Sequence, residues 1–111
     1  PYGTAANAAS TVPGWHLSGS AREKYAVTLD AAIRHGGSAS AKLASTTASG
    51  DVFGTLMQSV DATPFRGKRL RFAGWLKTSD VSGWSGLWMR VDGESFSTAF
   101  DNMESRAVKG T

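Results

Sequence analysis

The side chains best suited to chemistry are two tryptophans and two arginines in one stretch of sequence, Lys68 to Asp92. Arg71 and Trp75 share the parity of one run, and Trp88 and Arg90 share that of the next. In an extended chain, residues an even number of positions apart project to the same side. An indole can stack on an apolar ring face while a guanidinium donates hydrogen bonds to hydroxyls. Each aromatic contact adds about 0.5–1.5 kcal/mol beyond area burial, so a cluster, not a single Trp, would make a site. The competing reading packs both indoles against loops or partner strands, because Trp is on average highly buried.

Asp101 and Asn102 offer oxygens for a hydroxyl or a cation, although Asx residues at a strand end mostly cap turns. Asp30, Asp51 and Asp92 border turns in the same way. Trp84, within Ser82-Gly83-Trp84-Ser85, reads as a loop anchor at a rim, and Trp15 reads as core. Gln58 falls on the apolar side of its strand, where a buried amide would need hydrogen-bond partners.

Catalytic constellations are not found. His16 and His35 have no metal-type spacing. Ser85 lies between strands and lacks the setting of a nucleophile elbow, and nothing brings Glu23, Glu94 and Glu104 together as paired carboxylates. The chain is read as a non-enzyme, with no catalytic and no metal residue.

Period-2 alternation supplies the elements that would position these groups. Trp15–Ser18 suits an opening strand. Tyr25, Val27 and Leu29 alternate with Ala26, Thr28 and Asp30, and Ala39, Ala41 and Leu43 with Ser40, Lys42 and Ala44. Val52–Val60 is apolar on both faces and reads as a long central strand. Leu70, Phe72, Gly74 and Leu76 alternate with Arg69, Arg71, Ala73, Trp75 and Lys77, and Leu87, Met89 and Val91 with Trp88, Arg90 and Asp92. Asp92-Gly93 is a hairpin signal leading to a strand over Phe96–Phe100. Ala31–Arg34 has room for one helical turn, closed by His35-Gly36-Gly37. Short strands with Gly-rich joints and no long helix give an all-β sandwich.

Composition narrows the classes. A length of 111 residues allows one domain, expected over 1–111 with 1–12 as a flexible lead-in. The absence of cysteine excludes disulfides and thiolate chemistry. No apolar run approaches the roughly 20 residues that span a bilayer, so no membrane partner is expected. The chain begins at Pro1 instead of Met, consistent with removal of a leader or an upstream domain. Net charge is +3, and the one dense basic cluster is Arg66, Lys68, Arg69 and Arg71. A solvated turn and strand edge explains that cluster without a reading helix, so no nucleic-acid partner is expected for the chain itself.

Gly14-Trp15, Gly36-Gly37-Ser38-Ala39, Gln58-Ser59-Val60, Gly67-Lys68 and Phe72-Ala73-Gly74-Trp75-Leu76-Lys77 together resemble the galactose-binding-like jelly roll of many carbohydrate-binding modules. Phe53-Gly54-Thr55-Leu56-Met57-Gln58, Gly86 to Gly93, Phe100-Asp101-Asn102-Met103, Arg106 and Val108-Lys109-Gly110-Thr111 are more closely similar to a bacterial domain found alone or beside AraC-type transcription regulators. In that domain further strands follow the Gly-Thr at which this chain stops, so the resemblance implies a jelly-roll-like β-sandwich incomplete at its C-terminus. It also implies a non-catalytic module that binds or senses a carbohydrate or similar small polar ligand. Trp75 and Trp88 would stack, and Arg71, Arg90, Asp101 and Asn102 would make polar contacts. The alternative is a structural or assembly domain, a homodimer or larger homo-oligomer whose packing or strand exchange completes the sheets. Relatives of this fold often hold a structural calcium; no dedicated acidic loop calls for one here, so no cofactor is predicted.

Overall fold

The computed structural model describes residues 12–47, 51–94 and 97–111, Ser97 by its backbone. The expected lead-in up to residue 11, residues 48–50 and Phe96 at the start of the expected last strand lie outside the described residues. The chain is all-β: the described residues form eight short strands, and their helical structure is limited to three-residue 3-10 turns. The ladders join strands in antiparallel pairs. Two compact units divide the chain, Pro1–Ala62 and Thr63–Thr111.

In the first unit, β1 (His16–Ser18) pairs with β4 (Thr55–Met57), and β2 (Tyr25–Asp30) pairs with β3 (Ser40–Ser45). The β2–β3 register is unbroken from Tyr25↔Ser45 to Asp30↔Ser40. The connection between them is held by its own polar groups. Asp30 Oδ1 accepts the amides of Ala32 (2.9 Å) and Ile33 (3.0 Å), and Arg34 Nε donates to the Gly37 carbonyl (3.0 Å). The Asp30 bonds satisfy two amides of the connection, and the helical turn expected over Ala31–Arg34 is not formed.

The β1–β4 pair depends on a close approach. Gly19 has φ +114°, and a Cβ there would sit 2.5 Å from the Phe53 carbonyl oxygen. Only glycine accepts both the left-handed backbone and the contact. Around it, the Ala21 amide donates to the Phe53 carbonyl (3.2 Å) and the Phe53 amide to Ser20 Oγ (3.0 Å). Ala21 and Val12 are the buried apolar residues of the described chain. Trp15, expected in the core, is half-buried.

The long central strand over Val52–Val60 is corrected to three paired residues, because β1 has only three to offer as partners. Gln58 therefore falls beyond the ladder and is exposed, and the demand for a buried amide partner disappears.

In the second unit, β5 (Val81–Ser85) pairs with β8 (Val108–Gly110), and β6 (Met89–Asp92) pairs with β7 (Ser97–Asp101). Asp92 ends β6 and pairs with Ser97 at the start of β7, with a register shift between Val91 and Asp92, so the Asp92-Gly93 signal stands at the connection of an antiparallel pair. Two expectations change. Ser82-Gly83-Trp84-Ser85 is strand, not loop, held by Val81↔Gly110 and Ser85↔Val108 and by Ser85 Oγ donating to the Val108 carbonyl (3.2 Å). The expected strand over Lys68–Lys77 joins no ladder. Its alternation meets the side-chain requirement of a strand, but no neighbouring backbone takes up its amides and carbonyls in register.

Candidate functional site

The second unit carries a pocket of about 250 Å³. Three stretches line it: Leu70-Arg71-Phe72 from the irregular segment, Leu87-Trp88-Met89 where the chain enters β6, and Asp101, Met103 and Arg106 at the end of β7. Each is placed by a local cause. The β6–β7 register sets Met89 opposite Asp101, which brings the second and third stretches together. Gly86 has no side chain to hold them apart; a Cβ there would lie 3.1 Å from Met103 Cβ and 3.2 Å from the Asn102 carbonyl oxygen. The Leu87 amide then donates to Met103 Sδ at 3.3 Å. Leu87 also lies 3.6 Å from where a Cβ on Gly74 would be, so the irregular segment passes beside the same residues.

The polar edge is a short pinned turn. Asp101 Oδ1 accepts the Met103 amide (2.9 Å), and Asp101 Oδ2 accepts Arg106 Nη2 (2.7 Å). The distance to Arg106 is that of a charge-assisted bond. Asn102 Oδ1 accepts the Glu104 amide (3.1 Å), and the Arg106 amide donates to the Met103 carbonyl (2.7 Å). Met103 itself takes the left-handed backbone at φ 63°, which a β-unbranched residue tolerates when neighbours fix it. The Met103 amide, the Arg106 side-chain bond and the Arg106 charge hold the Asp101 carboxyl below its ordinary value and outweigh the small opposing effect of desolvation.

Of the residues singled out from the sequence, the pocket brings together Arg71, Trp88 and Asp101. Trp88 is half-buried and packs on Phe100 of β7, ring centroids 6.2 Å apart and planes inclined by 50°. Trp75 does not line the pocket and is 77% exposed. Arg90 faces along its own strand and holds Asp92 through two bonds, Nε–Oδ1 at 2.8 Å and Nη2–Oδ2 at 3.2 Å. Asn102 caps the turn and does not line the pocket. Both Asx residues thus make the turn-capping bonds anticipated for them, and Asp101 does so at the pocket edge. Met103 and Arg106 were not singled out. Their signal was the spacing Asp101-x4-Arg106, which lets a guanidinium fold back across one turn onto the carboxylate.

Apolar Leu70, Phe72, Leu87, Trp88, Met89 and Met103 beside one carboxylate and two guanidiniums suit a small ligand with an apolar face and hydroxyls at its edge. Among the described residues, no three His, Asp or Glu side chains gather as a metal site requires.

No family model and no solved structure matches the chain. It is 41% identical over 101 residues to a protein of Bacillus subtilis described as the uncharacterised HTH-type transcriptional regulator YbfP. The match takes in 88% of this chain and 34% of that protein, so the chain spans about a third of the length of the curated relative. This likeness agrees with the resemblance to domains found beside transcription regulators. It overturns the expectation that nucleic acid is no partner. That expectation was drawn from the lack of a reading helix, which is weak ground in a chain similar to only a third of a regulator.

Proposed function

We propose that this chain is a non-catalytic sensing module of a transcription regulator, a galactose-binding-like jelly roll in kind. Its ligand is a carbohydrate or similar small polar molecule, held in the pocket between Leu70-Arg71-Phe72, Leu87-Trp88-Met89 and the Asp101–Arg106 turn. The observation that carries this reading is the pairing of an indole wall, Trp88, with a carboxylate and guanidiniums at one pocket edge. Size supports a small occupant. About 250 Å³ is below the roughly 300–1,000 Å³ of sites for drug-sized ligands, and suits a single sugar ring. The likeness to an HTH-type transcriptional regulator supports the setting.

The test is tryptophan fluorescence titrated with a panel of mono- and oligosaccharides. A saturable change, lost in a folded Trp88→Ala variant, is the expected outcome. No saturable change with any sugar would sink the reading.

A second reading has its own observation. Each unit exposes large apolar side chains, Phe53 (57%) and Val60 (71%) in the first and Trp75 and Phe100 (59%) in the second. On that reading the chain is an assembly domain whose apolar faces pack on protein. Scattering-detected size exclusion separates the two: a monomer that binds sugar favours sensing, and a stable oligomer indifferent to sugar favours assembly.

A further inference from the structure

All of the chain's excess positive charge lies in one exposed stretch. Between Asp61 and Asp80 stand Arg66, Lys68, Arg69, Arg71 and Lys77, with no acidic residue among them. Removing these 5 from the 12 basic residues leaves 7 against 9 acidic ones, so the rest of the chain is negative by 2 while the whole is +3. Every residue from Arg66 to Lys77 is exposed. Elsewhere in the unit the guanidiniums are used: Arg90 is held by Asp92 and Arg106 by Asp101. Among the described residues, none of the five cations of the stretch is in an ion pair.

The backbone presents these charges outward. In a 3-10 turn over Thr63–Phe65 the Arg66 amide donates to the Thr63 carbonyl (3.4 Å), the Lys68 amide donates to the Phe65 carbonyl (3.1 Å) in the turn that follows, and Gly67 at φ +74° redirects the chain. From there to Thr78 the segment joins no ladder. Five cations without carboxylates repel one another, an arrangement that is stabilised by a polyanion laid along them. Phe65, Phe72 and Trp75 are interleaved with the cations and exposed.

We infer that Arg66–Lys77 is a contact surface for the phosphate backbone of duplex DNA. Duplex DNA is favoured over other polyanions because the chain is similar to part of an HTH-type transcriptional regulator, so a DNA duplex lies within reach of such a module. The contact reads no bases. It adds sequence-independent affinity and fixes orientation, as phosphate contacts do. It is a separate proposal from the pocket, although Leu70, Arg71 and Phe72 belong to both, Arg71 being the one cation they share.

The experiment is anisotropy of a labelled duplex titrated with the full chain between about 50 and 200 mM salt. Two folded variants are compared, with circular dichroism as the fold check. One is Arg66→Ala/Lys68→Ala/Arg69→Ala. The other, Arg22→Ala/Lys42→Ala/Lys109→Ala, carries the same net charge with the stretch intact. Five phosphate contacts give a slope of log K against log salt near −4.5, at roughly 0.9 per contact. The patch variant is expected to flatten this slope by about 2.7, and the control to keep it. Absence of DNA binding at the lowest salt, or equal loss in both variants, would overturn the proposal. So would binding to phosphatidylserine-containing vesicles without binding to DNA, which would make the partner a membrane.

Discussion

Two turns of this molecule use the same device and do different things with it. In the β2–β3 connection, Asp30 accepts the amides of the two residues beyond its neighbour, and Arg34, four positions on, donates to the Gly37 carbonyl. After β7, Asp101 accepts the Met103 amide, and Arg106, five positions on, returns to Asp101 itself. The first turn spends its guanidinium on the backbone and only closes a ribbon. The second keeps guanidinium and carboxylate together at a pocket edge and sets Met103 into the wall. What separates them is the neighbour: Gly86 and Leu87 press on the second turn, while Gly36 and Gly37 have open space around them. An Asx turn becomes part of a site when a packed strand entry lies against it.

The largest expected effect follows from that packing. Gly86→Val drives a branched side chain against Met103 and the Asn102 carbonyl, so denaturant unfolding should show a loss of about 1–3 kcal/mol, with ligand response abolished. Gly36→Ala, in open space, should change stability by less than about 0.5 kcal/mol. Next is Trp88→Ala, which removes the stacking wall and should weaken sugar binding by about tenfold in a calorimetric titration. Asp30→Ala comes third. It removes turn bonds worth on the order of 1 kcal/mol and should leave sugar affinity unchanged, whereas Asp101→Asn should lower that affinity.

The smallest effect is in acid. Folding lowers the Asp101 pKa from its ordinary 3.8. Its contribution is therefore complete above that pH, and is lost as the pH falls through the lower folded value. A carboxyl-detected NMR titration should place the Asp101 midpoint below 3.8, and Arg106→Gln should raise it.

Sequence alone located β2, β3, β6 and β7, and also β1 and, with bounds too long, β4, although β1 and β4 pair across a long stretch of chain. β2 and β3 meet across one connection, and β6 and β7 across another, so alternation on both sides of a turn signal sufficed. β5 was hidden because Ser82-Gly83-Trp84-Ser85 has no apolar alternation; its partner is Val108–Gly110. Lys68–Lys77 misled for the opposite reason: alternating side chains are necessary for a half-buried strand, yet a ladder also needs a backbone alongside. The site was half legible. Trp88, Arg71 and Asp101 stood out by residue type, while Met103 and Arg106 matter through a fold-back that only the turn geometry reveals. Trp75 carried the same type signal as Trp88 and lies outside the pocket, since no ladder aligns the two segments.

The most direct test of the central claim is to follow the indole N–H resonances of Trp15, Trp75, Trp84 and Trp88 while a sugar that alters the fluorescence is added. The account predicts a saturable shift of the Trp88 indole together with the amides of Leu87 and Met103, and a still Trp15. A saturable shift confined to Trp15 or Trp75, with Trp88 unmoved, would contradict it.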